Sequence, residues 1–150
     1  PVNFNMEYTG ADGQKHRPVV IHRAPFGSME RFVALLIENF AGYFPLWLAP
    51  VQVMVIPLTD AHKEYARGVF EKLKDEKIRV SLDDRNEKVG YKIREAETKK
   101  VPYMLVLGDK EMNEGLVSIR EHKKGDTGKM ELNKFIEIIK LKVSKKDISY

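Results

Sequence analysis

Runs of apolar residues divide the chain into two unlike parts. From position 51 onward, short continuous apolar runs alternate with segments of helical period. Gln52-Val53-Met54-Val55-Ile56-Pro57 reads as a strand buried on both faces. A helix capped at Thr59 or Asp60 follows, with Tyr65, Ala66, Val69, Phe70 and Leu73 on one side. Strands are predicted again at Ile78–Leu82, Tyr103–Leu107 and Leu116–Arg120, with a weakly amphipathic basic helix over about Lys88–Lys100 whose inner side is Val89, Ile93 and Ala96. Gly125–Gly128 reads as a turn, and Leu132, Phe135, Ile136, Ile139 and Val143 mark a last helix. Strand and helix in alternation imply right-handed crossovers and a mostly parallel sheet, with ligands outside the carboxyl ends of its strands.

The first part has a different pattern. The turn-rich Thr9–Gln14 joins a strand around Phe4–Tyr8 to one over Pro18–His22, a β-hairpin that feeds a helix from Ser28 to about Phe40. Phe32, Leu35, Leu36, Ile37 and Phe40 give this helix a broad apolar face that two strands cannot enclose. The segment therefore reads as the end of a larger domain, with those side chains exposed or repacked and self-association as a consequence. Tyr43–Pro50 is too rich in proline to be regular and too apolar to be a free linker, so it should pack down, with Trp47 as an anchor.

With 150 residues and 43% hydrophobic content, the chain can bury one good core and part of a second. The absence of cysteine excludes disulfides, thiolate catalysis and a cysteine-rich zinc site, and fits a reducing, cytoplasmic setting. No apolar run reaches the roughly 18 to 20 residues of a membrane helix, and the start lacks the order of a signal peptide. A net charge of +4 makes a polyanion a plausible partner, although a solvated lysine surface gives the same total.

Candidate chemistry concentrates where Val19–Ile21 runs through His22 and Arg23 to Pro25, Gly27, Ser28 and Arg31. A cation gains nothing from the dipole in the first turn of a helix, so Arg31 calls for another role, and a guanidinium can stack on a base and meet phosphate. Arg17–Phe32 as a whole resembles the third signature motif of class II aminoacyl-tRNA synthetases, in the form typical of threonyl-tRNA synthetases. Phe44–Pro50, Asp84–Glu95 and Val101–Glu111 resemble the anticodon-binding domain that follows this motif in that family. The likeness runs from about Tyr8 to about Ile139.

The resemblance implies a remnant of the antiparallel catalytic domain over residues 1–43, with a hairpin and helix, and an anticodon-binding domain over 44–150 with a mixed, mostly parallel five-stranded sheet. It implies an intact protein, a homodimer, that makes threonyl-adenylate from threonine and ATP with Mg2+ and passes the threonyl group to its tRNA. Arg31 would be the catalytic arginine and, with Ser28, would bind ATP. His22 would be one of three protein ligands of a zinc ion that discriminates against valine; the other ligands are absent from this chain, and His16, His62 and His122 show no ligand spacing. No cofactor is therefore expected on this chain alone, which would be inactive by itself.

By the same resemblance Asn86 reads the third anticodon base, Glu111 and Arg120 read the middle guanine, and Lys100, often arginine in the family, makes a further anticodon contact. From the residues alone, Asn86 is as readily a turn former, and Glu111 with Arg120 a surface ion pair. Lys92 and Arg94 would attract phosphate without reading sequence. The partner is a threonine tRNA, with neither DNA nor membrane. A stand-alone RNA-binding module, or a prolyl, histidyl or glycyl enzyme of the same class, are the other readings.

Overall fold

A computed structural model of the chain describes residues 1–148. Residue contacts divide it into two compact units, Pro1–Leu35 and a larger one from Leu36 onward.

In the first unit, β1 (Tyr8–Thr9) and β2 (Lys15–His16) form a short antiparallel hairpin with Tyr8 opposite His16. Asp12 shapes its turn, accepting the Gln14 N–H at 3.0 Å and facing His16 Nε2 at 2.8 Å. The expected strand over Pro18–His22 does not form: Val19, Val20 and Ile21 are 86%, 62% and 68% exposed. Pro18 lacks a donor, and no strand among the described residues pairs with this run, so its β-branched side chains have no sheet to pack into. The helix start is as read. Gly27 takes φ +72°, and Ser28 Oγ accepts the Arg31 N–H at 3.2 Å to cap α1 (Met29–Asn39), with Phe26 stacked on Phe32 at 4.5 Å. No residue of α1 is buried, and Leu35 is 54% exposed.

The helix closes in left-handed backbone at Ala41 and Gly42, with the Gly42 N–H on the Ile37 carbonyl at 2.9 Å. The apolar connection that follows is held by polar groups. Gln52, 2% exposed, donates to the Leu46 carbonyl at 2.8 Å and accepts from the Arg79 N–H at 2.9 Å. The Arg79 guanidinium donates to the Ala49 and Trp47 carbonyls, each at 2.8 Å. A buried irregular segment needs such partners, because its carbonyls have no ladder of their own.

The larger unit is a five-stranded sheet in the order β4-β3-β5-β6-β7. Its elements are β3 (Val53–Pro57), α2 (Lys63–Asp75), β4 (Val80–Leu82), α3 (Val89–Thr98), β5 (Tyr103–Leu107), α4 (Asp109–Glu114), β6 (Leu116–Glu121), β7 (Gly125–Glu131) and α5 (Leu132–Ser144). The β3–β4 and β3–β5 pairs are parallel, and β5–β6 and β6–β7 antiparallel, so the five-stranded sheet is mixed as expected, with parallel and antiparallel pairs in equal number. The crossover from β3 to β4 and the one from β4 back past β3 to β5 run in opposite directions. For both to be right-handed, α2 and α3 must lie on opposite faces.

The cores follow this rule. On one face Val53, Val55, Leu105, Leu107, Val117 and Ile119 meet Ala66, Val69 and Leu73 of α2 and Phe135, Ile136 and Ile139 of α5. On the other, Met54, Ile56 and Met104 meet Ala96 and Val101, with Val89 and Ile93 packed at the margin. Each fully buried side chain of this size is worth roughly 1.5 to 3 kcal/mol. The second core stops at β5. Farther along that face, β6 and β7 carry Ser118, Arg120, Asp126 and Lys129, which are half-buried or exposed.

Candidate nucleic-acid interface

Two segments converge on the carboxyl edge of the parallel strands. After β4 the chain turns through Asp83–Lys88, hung on β3 by the Asp83 N–H to the Val55 carbonyl at 2.9 Å. Asp83 is buried and grips Arg85 in a two-pronged pair, Nε to Oδ1 at 2.8 Å and Nη2 to Oδ2 at 2.7 Å. Hydrogen bonds from Arg85 hold the Asp83 carboxyl below its ordinary range despite burial, and the pair pushes the arginine further up. Arg85 also meets Glu95 at 2.7 Å, and Glu95 meets Lys99 at 2.5 Å. With Asp83 and Arg85 pinned to each other, Asn86 is exposed and makes no hydrogen bond among the described residues. It lines a polar cleft of about 250 Å³ with Leu58, Thr59, Asp60, Lys63 and Lys92.

Lys92 departs from expectation. It is 4% exposed and donates to the Asp83 carbonyl at 3.1 Å, so its ammonium supports the turn from beneath and is not out in solvent for phosphate. A long aliphatic stem allows this burial, provided the head finds an acceptor. Arg94, two residues on and so on the opposite side of the helix, is exposed with no side-chain partner among the described residues.

The second segment follows β5. Gly108 has no room for a side chain unless Leu58 moves, since a Cβ would lie 2.5 Å from Leu58 Cδ1. Its N–H donates to Glu111 Oε2 at 3.0 Å, which folds the first turn of α4 over the strand end. Glu111, 6% exposed, faces Lys129 of β7 at 2.6 Å and does not pair with Arg120. Burial pushes its carboxyl up, but Lys129 and backbone N–H groups outweigh burial and leave it below its ordinary value.

Arg120 lies on β6 opposite Met104, on the sheet face away from α2 and not at the edge where Asn86 and Glu111 stand. Its Nε is buried and lacks a partner. Ser118 is opposite Lys129, and Arg120 follows it on the same face, about 7 Å along the strand. From the β4 turn to β6 is three strand spacings, about 14 Å. Asn86 and Glu111 thus stand at the carboxyl edge, and Arg120 stands away from it on the sheet face shared with Met104.

Lys100 stands elsewhere. It precedes β5 at the amino edge, in left-handed backbone, and its ammonium bonds the Ala41 carbonyl at the end of α1. In the smaller unit, Arg31 is exposed, Ser28 is occupied as the helix cap, and His22 sits in an exposed irregular run. No group of three metal-ligating side chains forms among the described residues, so His22 has no companion ligands among them. No described helix is long and apolar enough to cross a membrane.

Three groups had no sequence signal strong enough to single them out. They are the Asp83–Arg85 clamp, Lys129, and His62, which is 2% exposed and bonded on both ring nitrogens.

Residues 52–142 match the model of a family described as "Anticodon binding domain". The chain belongs to that family. This anticodon binding domain, with the residues before it, is 58% identical over 99% of its length to the threonine–tRNA ligase of Chloroherpeton thalassium, and 56% identical over 97% to that of Caldanaerobacter subterraneus subsp. tengcongensis. It spans 23% of the length of each. Among solved structures it is similar to the RNA binding domain of threonyl-tRNA synthetase from Cryptosporidium parvum Iowa II, with 33% identity, 99% of this chain and 37% of that chain covered, and a TM-score of 0.72. The expected likeness to threonyl-tRNA synthetases is therefore found over the whole length, and the mixed α/β fold with it.

Proposed function

We propose that this chain is the anticodon-reading part of a threonine–tRNA ligase, an enzyme that attaches threonine to its tRNA in the cytoplasm at the expense of ATP, with Mg2+ as cofactor. Asn86 takes the third anticodon base, while Glu111 and Arg120 take the middle guanine. The observation that carries this reading is a buried carboxylate, Glu111, at the carboxyl edge of the sheet that also has, on β6, a half-buried Arg120 whose Nε has no partner. A guanine offers N1–H and N2–H to an acceptor and O6 and N7 to a donor, so the two side chains together match it and no other base as well. Single-stranded loop bases can be splayed onto such a surface. Arg94 adds phosphate attraction from the exposed side of α3. Lys100 reaches an anticodon only by leaving Ala41, which makes it a secondary contact.

In the intact enzyme, Arg31 stacks on adenine and meets phosphate beside Ser28, His22 contributes to a zinc site completed by residues outside this chain, and two copies assemble. Supporting this part are the sequence phrase around Gly27 and the high identity to the two ligases over residues that include it.

Hairpin RNAs carrying the threonine anticodon loop test the reading. The chain should bind the guanine form at least about fivefold more tightly than one with adenine in the middle position, from about 1 kcal/mol or more per base contact. Equal binding of the two would rule out guanine readout and leave a general RNA-binding module.

A further inference from the structure

Glutamate is seldom buried unless a cation and hydrogen bonds offset the loss of water. Glu111 meets both conditions: its Oε2 takes the Gly108 N–H at 3.0 Å, and its Oε1 faces Lys129 Nζ at 2.6 Å. The lysine comes from β7, opposite Ser118, and Arg120 is the next residue on that face of β6. The cation that Glu111 meets is therefore this lysine and not Arg120, whose Nε has no partner and whose guanidinium lies toward Gly125, farther along β6.

Resting on the anticodon reading above, we propose that Lys129 is a specificity-determining residue: it holds Glu111 as a pure acceptor at a fixed place. The charge state matters because a protonated carboxyl would present a donor to the N–H edge of guanine, where only an acceptor fits. Around Glu111, Lys129 from β7 bonds its carboxylate, Tyr65 from α2 interacts with it electrostatically, and Asp109 and Glu114 share its helix; Asp126 and Glu114 act on Lys129 in turn. Burial favours protonation of Glu111, and the contacts with Lys129 and with backbone N–H groups oppose it. The Lys129 side chain is 38% exposed, so it can stay beside Glu111 when RNA arrives.

The test compares the full chain with Lys129→Gln and Lys129→Arg, each shown to be folded by its thermal transition, on hairpin RNAs with guanine, inosine or adenine in the middle position. The wild-type ratio of guanine to adenine affinity, about fivefold or more, should not change between about pH 8 and about pH 5. Lys129→Gln should lower it at least about threefold and make the remainder fall with pH, with guanine approaching inosine as contact to the 2-amino group is lost. Lys129→Arg, which keeps the charge, should retain the ratio. A glutamine variant with the wild-type ratio at every pH overturns the proposal, as does one that loses affinity equally for all three RNAs, the mark of a phosphate contact. Loss of the ratio in a folded arginine variant also overturns it, whether or not the glutamine variant folds. A wild-type chain that cannot tell guanine from adenine would defeat the anticodon reading itself, a result distinct from the others.

Discussion

His62 Nε2 lies 3.0 Å from Asp109 Oδ1 and joins the turn after β3 to the first residue of α4, 47 positions away. Nδ1 of the same ring accepts the Thr59 N–H at 3.2 Å, so the proton is on Nε2 and the histidine needs no charge to make both bonds. The helix it steadies is the one that carries Glu111. His62→Ala should cost about 1 to 3 kcal/mol in urea unfolding, since the Thr59 N–H is left without a partner in a half-buried site. His62→Asn should cost less, and equal losses for the two would mean that packing, not the bonds, is what matters.

Stability should fall in acid in a way traceable to the β4 turn and α4. The Asp83 carboxyl is lowered from 3.8 and that of Glu111 from 4.5, so the stabilisation is complete above those unfolded-state values and is lost as pH drops through the lower folded ones. Thermal unfolding followed downward from neutral pH should show this loss. Asp83→Asn should lower stability at neutral pH and flatten part of the acid dependence; an unchanged acid slope would remove Asp83 from the account.

Lys92 and Arg94 are two residues apart and should behave oppositely. Arg94→Ala should reduce the salt slope of RNA binding by about 0.7 to 0.9 and leave base preference unchanged, as loss of one phosphate contact requires. Lys92→Met should leave the slope alone and act on stability, because its ammonium is already spent on the Asp83 carbonyl. A loss of slope with Lys92→Met at unchanged stability would return that lysine to the RNA.

These cases show where the sequence was legible. The strands Val53–Pro57 and Tyr103–Leu107 were plain because both their faces are buried, leaving uninterrupted apolar runs. The Ser28 cap and the apolar side of α2 were plain because capping and helical period are local properties. By contrast, β7 read as a turn, since Gly125 and Gly128 look like punctuation; they take φ of +80° and +106° within a strand, beside a register shift at Ile119 and Arg120. The Val19–Ile21 run illustrates the converse, for β propensity without a partner strand yields no sheet.

For the site, the types of residue were legible but their partners were not. Lys92 looked like surface charge because nothing local announces that a carbonyl from another loop lies beneath it. Glu111 and Arg120 looked like mutual partners, whereas the cation that Glu111 meets comes from the unrecognised strand. Asn86 and Glu111 stand at the carboxyl edge as their place after β4 and β5 implied, but Arg120 lies on the sheet face because β6 runs antiparallel to β5 and carries it away from that edge.

The most direct measurement is a mutant cycle across the interface, pairing Arg120→Ala in the protein with guanine-to-adenine at the middle position of the anticodon hairpin. If Arg120 reads that base, the two changes should be coupled by about 1 to 3 kcal/mol, the double change costing little more than either alone. Strict additivity, with both single changes weakening binding independently, would contradict the account.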